Sequence, residues 1–231
     1  MKLEHLPFDT KLFGYPVYSF RWNQEGTFDF KEFEQAANES KSHLTYVFSK
    51  YPLNDVADFP LRLVDCKLTL RKSDLETSPG VLCEFDPQID AYEELLALAF
   101  VSGEYSRFCR DEHFSRHDYE RLYKIWLDRS LDGSIAETVV VVRKQGHIAG
   151  FATAQRTQNE IKIGLLAVSP SFQRQGVGAE LLRQVESFAI QSSLNSISTQ
   201  TQNDNLPAVH FYKKHGYRVT DRTYVYHYWQ T

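Results

Sequence analysis

Cysteine is scarce in this 231-residue chain: Cys66, Cys83 and Cys109 are the three present, widely spaced and never in a C-x-x-C pair. An odd number of scattered thiols argues against a disulfide framework and suits free cysteines in a reducing compartment. Long apolar runs are also missing, and none approaches the roughly 18 residues a membrane helix needs. The opening stretch, MKLEHLPFDTKLFGYP, holds acids and a proline where a secretory signal would hold an apolar segment. The expectation is a cytoplasmic protein. Charge of one sign is not in excess: 26 basic and 30 acidic side chains are interspersed, for a net charge of −4. Such a surface has no footprint for a nucleic-acid backbone or an anionic membrane. Proline and glycine are sparse, and no low-complexity tract or internal repeat is present.

What the chain does have is a composition of 42% hydrophobic and 24% charged residues, enough for one globular domain or for one with a smaller appendage. YPVYSFRW, LTYVFSK and LRLVDCKLTLRK read as strands, and FDFKEFEQAANES between them reads as a helix. The segment SDLETSPG is the most plausible joint. It divides a small N-terminal α/β domain, residues 1–76, from a larger domain, 77–231.

In the larger part DAYEELLALAF reads as a helix with Leu95, Leu96, Ala99 and Phe100 on one face. GEYSRFCRDEHFS has neither period and is expected to be a loop. RHDYERLYKIWLDRSL is a second helix, ended by DG. Three strands, ETVVVVRK, HIAGFATAQR and EIKIGLLAVS, follow, with a QG hairpin turn joining the first two. A helix over residues 177–191, a strand SISTQTQ, a short helix LPAVHFYKKH and a last strand YVYHYW complete the chain. Helices interleaved with hairpins predict an α+β fold with a mixed α/β sheet.

The segment SPSFQRQGVGAEL sits between an apolar strand and an amphipathic helix. Gly176 and Gly178 tolerate positive φ and close backbone approach. The first N–H groups of the following helix have no partner within it, and with the helix dipole they make a site for a phosphate. Arg174 adds a permanent charge. A strand–helix connection whose glycines serve geometry alone would account for an isolated Gly-x-Gly. A second motif, TQNDNLPAVHFYKKHGYR, places Asn205 seven residues before Tyr212, with Ala208 between.

Taken together the two motifs resemble the GNAT superfamily of N-acetyltransferases over roughly residues 86–229. The resemblance implies the GNAT acyl-CoA fold and acetyl-CoA as cosubstrate, with no metal. Leu166, Ala167 and Val168 would then supply main-chain contacts to the pantetheine arm. Arg174, Gln175, Gly176, Val177, Gly178 and Ala179 would hold the diphosphate, Asn205 would meet the pantetheine, and Tyr212 the sulfur. As catalytic groups it implies the Val168 amide as oxyanion donor and Tyr212 as the phenol that stabilises or protonates the leaving thiolate. Where many relatives carry a glutamate, five residues before the asparagine, this chain has Gln200, which accepts no proton. The base is then another group, or the amine is neutral unaided. A lysine amine, with a reference pKa of about 10.4, needs more help than an amine on an electron-withdrawing sugar ring.

LPFDTKLFGYPVY, YSRFCRDEHFSRHDYERLYKIWLDRSLDG, IGLLAVSP and TYVYHYW further resemble the dTDP-fucosamine N-acetyltransferases, which acetylate a dTDP-linked 4-amino-4,6-dideoxygalactose. That implies a small-molecule amine acceptor, a nucleotide sugar. Arg107 and Arg110 would meet its diphosphate, and Tyr105, Phe108 and Phe114 its apolar parts. Against this stands a solvated loop with arginines paired to Glu104, Asp111 or Glu112. Glu104 and His113 are the candidate bases in the same segment. His113 and His117 have helical spacing but no third ligand and are read as surface residues. Tyr224, Tyr226 and Tyr228 are read as one face of the terminal strand. That strand, taken as exposed, offers an edge for a homodimer. LFGY at Leu12–Tyr15 is a tight aromatic turn with two uses open, between the units or at the acceptor site. A peptide, lysine or polyamine acceptor, or a non-catalytic acyl-CoA-binding module, are the competing readings.

Overall fold

The computed structural model describes residues 1–23, 27–53, 59–75 and 80–230. The expected joint at 73–80 includes residues 76–79, which lie outside the described residues. The architecture is α+β, and the chain divides into two compact units. The first comprises Met1–Leu68, Gln202–Asp204 and Asp221–Thr231; the second comprises Thr69–Thr201 and Asn205–Thr220.

In the first unit β1 (Glu4–His5) runs antiparallel to β2 (Val17–Trp22), β2 parallel to β3 (Leu44–Ser49), and β3 antiparallel to the end of the last strand, β9 (Arg218–Trp229). The parallel pair needs a crossover, and α2 (Phe30–Ser40) supplies it. Asp29 caps α2 by accepting from Glu32 N at 3.0 Å. Phe30, Phe33, Ala36 and Ala37 of α2 pack with Val47, Tyr226 and Tyr228, and Tyr224 joins from the rim. The alternating tyrosines therefore form one packed face. A helix that the sequence reading lacked, α1 (Pro7–Phe13), precedes β2. It opens on a proline and stops at Gly14, whose φ of 82° is left-handed. Tyr15, of the aromatic turn, lies 4.7 Å from the His43 ring and 5.8 Å from the Trp229 ring.

The terminal strand was expected to be an exposed edge. Residues 224–229 instead pair in full with β3, and in the sheet order β9 lies between β3 and β4 (Leu61–Ser73), so the strand is not an edge that can extend the sheet into a partner. The strand also begins six residues earlier than its tyrosines suggest, at Arg218.

The second unit holds the remaining helices: α3 (Tyr92–Ser102), α4 (Arg107–Arg110), α5 (Arg116–Leu131), α6 (Val177–Gln191) and α7 (Leu206–Lys214). Its strands are β5 (Thr138–Lys144), β6 (His147–Arg156), β7 (Ile161–Val168) and β8 (Ser196–Gln202), with the end of β4 (Leu61–Ser73). The QG turn is a two-residue hairpin with φ of 55° at Gln145 and 81° at Gly146, the primed geometry that matches strand twist. Pairing is antiparallel in β5–β6–β7 and parallel between β7 and β8. The outer side of β5 is covered by the segment at 83–85: Phe85 N bonds Val139 O at 2.9 Å, and Val141 N bonds Cys83 O at 2.8 Å.

On one face of this sheet Leu95, Leu98 and Ala99 of α3 and Leu127 of α5 pack against Val139, Val141 and Phe151. The expected face of α3 shifts by part of a turn, since Leu98 is buried while Leu96 and Phe100 are only partly so. The adjacent residue on β6, Gly150, points to the other face. A Cβ there would lie 2.8 Å from Ala167 O and 2.9 Å from Val177 Cγ1 of α6. Glycine at 150 thus lets the start of α6 rest on the sheet. Gly150→Ala is expected to cost about 1–3 kcal/mol through overpacking against backbone. Urea unfolding should show a lower midpoint at unchanged slope.

Candidate active site

β7 is paired on both sides only at its beginning. Its parallel partners on β8 are Ile161↔Ile197, Lys162↔Ser198 and Ile163↔Thr199. From Gly164 onward the β8 pairing ends, while β7 continues along β6 to Val168. The direction of the released groups follows from the ladder. Ser169 N bonds Ala149 O at 2.8 Å, and antiparallel pairs alternate, so Ala167 also turns its backbone groups towards β6. Leu166 and Val168 therefore turn theirs away, into the opening between β7 and β8. Those are donors and acceptors in the geometry of a strand edge, without a strand.

At the end of β7 the chain makes one 3₁₀ turn, Pro170–Phe172, and reaches the loop before α6. Arg174 takes φ of 62° and Gly176 φ of 81°. The first bond inside the helix runs from Glu180 N to Gly176 O at 3.0 Å. Val177, Gly178 and Ala179 precede it, so helix geometry leaves their N–H groups directed outward at the positive end of the dipole. Arg174 and Gln175 are exposed beside them, and the Gln175 amide donates to Ser171 O at 3.1 Å. Gly176 needs glycine for its conformation, as expected. Gly178 needs it for packing: a Cβ there would meet the Phe211 ring at 3.0 Å and Val168 Cγ2 at 3.7 Å. That contact draws the start of α6, the end of β7 and α7 into one neighbourhood.

α7 begins at Asn205, whose side-chain oxygen accepts from Ala208 N at 3.2 Å. Asn205 is thus a helix cap, and its NH2 group is the half of the amide suited to a ligand. Two turns on, Tyr212 is 5% exposed, edge-on to Tyr217 at 5.3 Å. Burial pushes its phenol up to about 12, opposed by a hydrogen bond from the Thr199 side chain of β8. The phenol is therefore a proton donor across any ordinary working pH. Gln200, the next residue of β8, points to the opposite face and donates to Thr69 Oγ1 at 3.3 Å.

The segment 103–115, expected to be a loop, contains the one-turn helix α4. Phe108 and Phe114 turn inward, 5.3 Å apart, with Trp126 6.0 Å from Phe108; they belong to the core. The Arg107 guanidinium lies 4.4 Å from the Phe108 ring centroid, and Arg110 lies 4.8 Å from that of Tyr105. Glu104 is exposed, while His113 pairs through Nδ1 with Asp111 at 2.8 Å. His113 and His117 are both exposed, and no group of three or more metal-ligating side chains occurs among the described residues. No helix among them is long and apolar enough to cross a membrane, and all three cysteines are free.

One feature of the site escaped the sequence reading: an irregularity in the β6–β7 ladder at Thr153 and Gly164. The lone glycine inside IKIGLLAV is the signal for it, since glycine within a strand marks a bulge.

Residues 94–217 match the Acetyltransferase (GNAT) family. The spore coat polysaccharide biosynthesis protein SpsD of Bacillus subtilis is 24% identical over 163 residues, covering 71% of this chain and 56% of that protein. Streptothricin acetyltransferase of Streptomyces lavendulae is 29% identical over 84 residues, 36% of this chain and 44% of that one. The chain spans about half the length of these curated relatives. A functionally unknown conserved protein from Staphylococcus epidermidis matches with a TM-score of 0.64 over 94% of this chain and 85% of its own, at 11% identity. That likeness is one of fold.

Asn205 gives a test that separates its cap from the ligand contact expected of its amide. Asn205→Ala should lower stability by about 1 kcal/mol through loss of the cap. Asn205→Asp keeps a capping oxygen but replaces the NH2, so thermal stability should hold while calorimetric affinity for coenzyme A falls.

Proposed function

This chain belongs to the acetyltransferase (GNAT) family, and from that premise we propose that it transfers the acetyl group of acetyl-CoA to the amine of a nucleotide-linked amino sugar, of the dTDP-4-amino-4,6-dideoxyhexose type. The observation that carries the transfer reading is the unpaired edge of β7 at Leu166 and Val168 beside the open N-terminus of α6. An extended amide-bearing arm can bond to such an edge as an added strand would, and a diphosphate suits the outward N–H groups of Val177, Gly178 and Ala179. Arg174 supplies a charge at the rim, and the Asn205 NH2 is the donor proposed to meet the arm.

In the reaction a neutral amine attacks the thioester carbonyl. Negative charge builds on the carbonyl oxygen, and the Val168 N–H is the preorganised donor for it. Once the C–N bond has formed, the tetrahedral centre collapses, the C–S bond breaks, and the thiolate leaves. Burial holds the Tyr212 phenol up at about 12, so it is protonated at neutral pH and can meet the departing sulfur with a hydrogen bond or a proton. The nitrogen, positively charged after the attack, gives up one proton to solvent or to the thiolate, and a phenol that has protonated the sulfur regains its proton from solvent.

Two observations support a sugar amine as acceptor. Gln200 stands where the resemblance leads one to expect a carboxylate, and its amide is turned towards Thr69; an amine of low basicity needs no base there. A relative that covers most of this chain is named for polysaccharide biosynthesis. Arg107 and Arg110, whose guanidinium carbons lie 4.4 Å and 4.8 Å from the Phe108 and Tyr105 ring centroids, are residues of the type that matches phosphate oxygens.

Thiol release from acetyl-CoA, followed with a panel of amines, tests the reading. The panel holds a dTDP-4-amino-4,6-dideoxyhexose, its UDP counterpart, spermidine, an aminoglycoside and a lysine peptide. Turnover is expected with the nucleotide sugar; turnover with the peptide or spermidine instead would sink the sugar assignment. Arg110→Ala should raise KM for the sugar while leaving KM for acetyl-CoA unchanged. Tyr212→Phe should lower kcat by about 100-fold with coenzyme affinity intact, whereas a pure acyl-CoA binder would lose nothing. The pH profile of kcat should rise as the amine deprotonates and show no falling limb from Tyr212 below pH 10.

A further inference from the structure

The separation of β7 from β8 has a visible cause. On the β6–β7 ladder Ala152 faces Leu166 and Ala154 faces Ile163. Thr153 therefore stands opposite two residues, Gly164 and Leu165, which is a β-bulge on β7. The residue just before the bulge, Ile163, is the last one paired with β8. The Leu165 N–H, taken out of the regular ladder, donates to Thr153 Oγ1 at 2.9 Å. Thr153 is only 2% exposed. A Cβ on Gly164 would stand 2.9 Å from the same oxygen, nearer than side chains ordinarily approach.

The bulge also decides which amides face the opening. Before it, Thr157 N donates to Glu160 O at 2.9 Å, so alternation turns Lys162 towards β6 and Ile161 and Ile163 towards β8. After it, Ala167 faces β6, and Leu166 and Val168 face the opening. Odd-numbered residues point to β8 before the bulge and even-numbered ones to the opening after it. Without that one-residue change of phase, Leu165 and Ala167 would present their amides instead.

We propose that Thr153 is a positioning residue: its hydroxyl closes the bulge on the Leu165 amide and so aims the Val168 N–H at the developing oxyanion and the Leu166 groups at the pantetheine arm. Gly164 is the partner that leaves room for this hydroxyl. The role rests on the acetyltransferase reading above. Thr153 touches no reacting atom; it acts through the main chain of β7.

Thr153→Val, Thr153→Ser and Gly164→Ala in the full chain test it. The readouts are amide hydrogen exchange at Leu165 and Val168, calorimetric affinity for coenzyme A, and kcat with acetyl-CoA and dTDP-4-amino-4,6-dideoxygalactose. Thr153→Val is expected to speed Leu165 exchange at least tenfold and lower kcat at least tenfold, with a smaller fall in coenzyme A affinity as the Leu166 contacts loosen while the diphosphate site is untouched. Thr153→Ser should restore both, and Gly164→Ala should follow the valine variant. If the valine variant does not fold, Thr153→Ala against Thr153→Ser gives the same comparison. A folded valine or alanine variant with exchange and kcat within twofold of the parent overturns the proposal, as does a serine variant equally impaired. A parent protein that neither binds coenzyme A nor releases thiol overturns the acetyltransferase reading and the catalytic half of this proposal with it. The exchange rates then still decide whether Thr153 holds the bulge.

Discussion

The second unit depends on hydrogen bonds that a strand declines to make. β7 and β8 run together for three residue pairs and then separate. Unmade backbone bonds are costly inside a protein unless water or a ligand takes them. On the proposed reading, the opening that Leu166 and Val168 face is where a ligand takes up those bonds. The rest of the unit can be understood as support for that edge. Gly150 lets α6 rest close to the far end of β7, α3 and α5 brace the opposite face, and Tyr212 is buried within reach of Thr199 on the departing strand.

The polar equipment of the site is mostly main chain. Helix ends supply donors at Val177, Gly178 and Ala179, and a strand edge supplies donors and acceptors at Leu166 and Val168. Such groups carry no formal charge and titrate at no accessible pH. Side chains enter at few points: Arg174 at the rim, the Asn205 amide, and the Tyr212 phenol. The coenzyme half of the reaction should accordingly vary little between about pH 6 and pH 10, leaving the amine to set the pH dependence.

Much of this was legible because it repeats over enough residues to show a period, or because a turn demanded a particular residue. The buried face of α6, Leu181, Leu182, Val185, Phe188 and Ala189, appears as expected, and so does the Gln145–Gly146 hairpin. α1 and α4 were missed because one or two turns are shorter than the pattern that reveals a helix; the bracketing Pro7 and Gly14 were the readable cue. The first five residues of β9 are all exposed, so no alternation announced them. Its pairing with β3 joins residues far apart in sequence, which local patterns do not encode. Asn205 was read only as a ligand contact, since a cap and a contact ask for the same residue type. The bulge left a trace in the glycine of IKIGLLAV, but its phase could be seen only once Thr153 and Leu165 were placed together.

The missing side chain at Gly178 has one more consequence. By allowing the Phe211 ring to within 3.0 Å of where a Cβ would be, it couples the turn that would hold a diphosphate to the helix that carries Tyr212. The two ends of the proposed site are thereby in direct packing contact, like the jaws of a fixed gauge. On the proposed reading, the span from phosphate to sulfur is then set by the protein rather than by the ligand. A molecule with a shorter or longer arm could bind at either jaw, but it would not bring its thioester to the phenol.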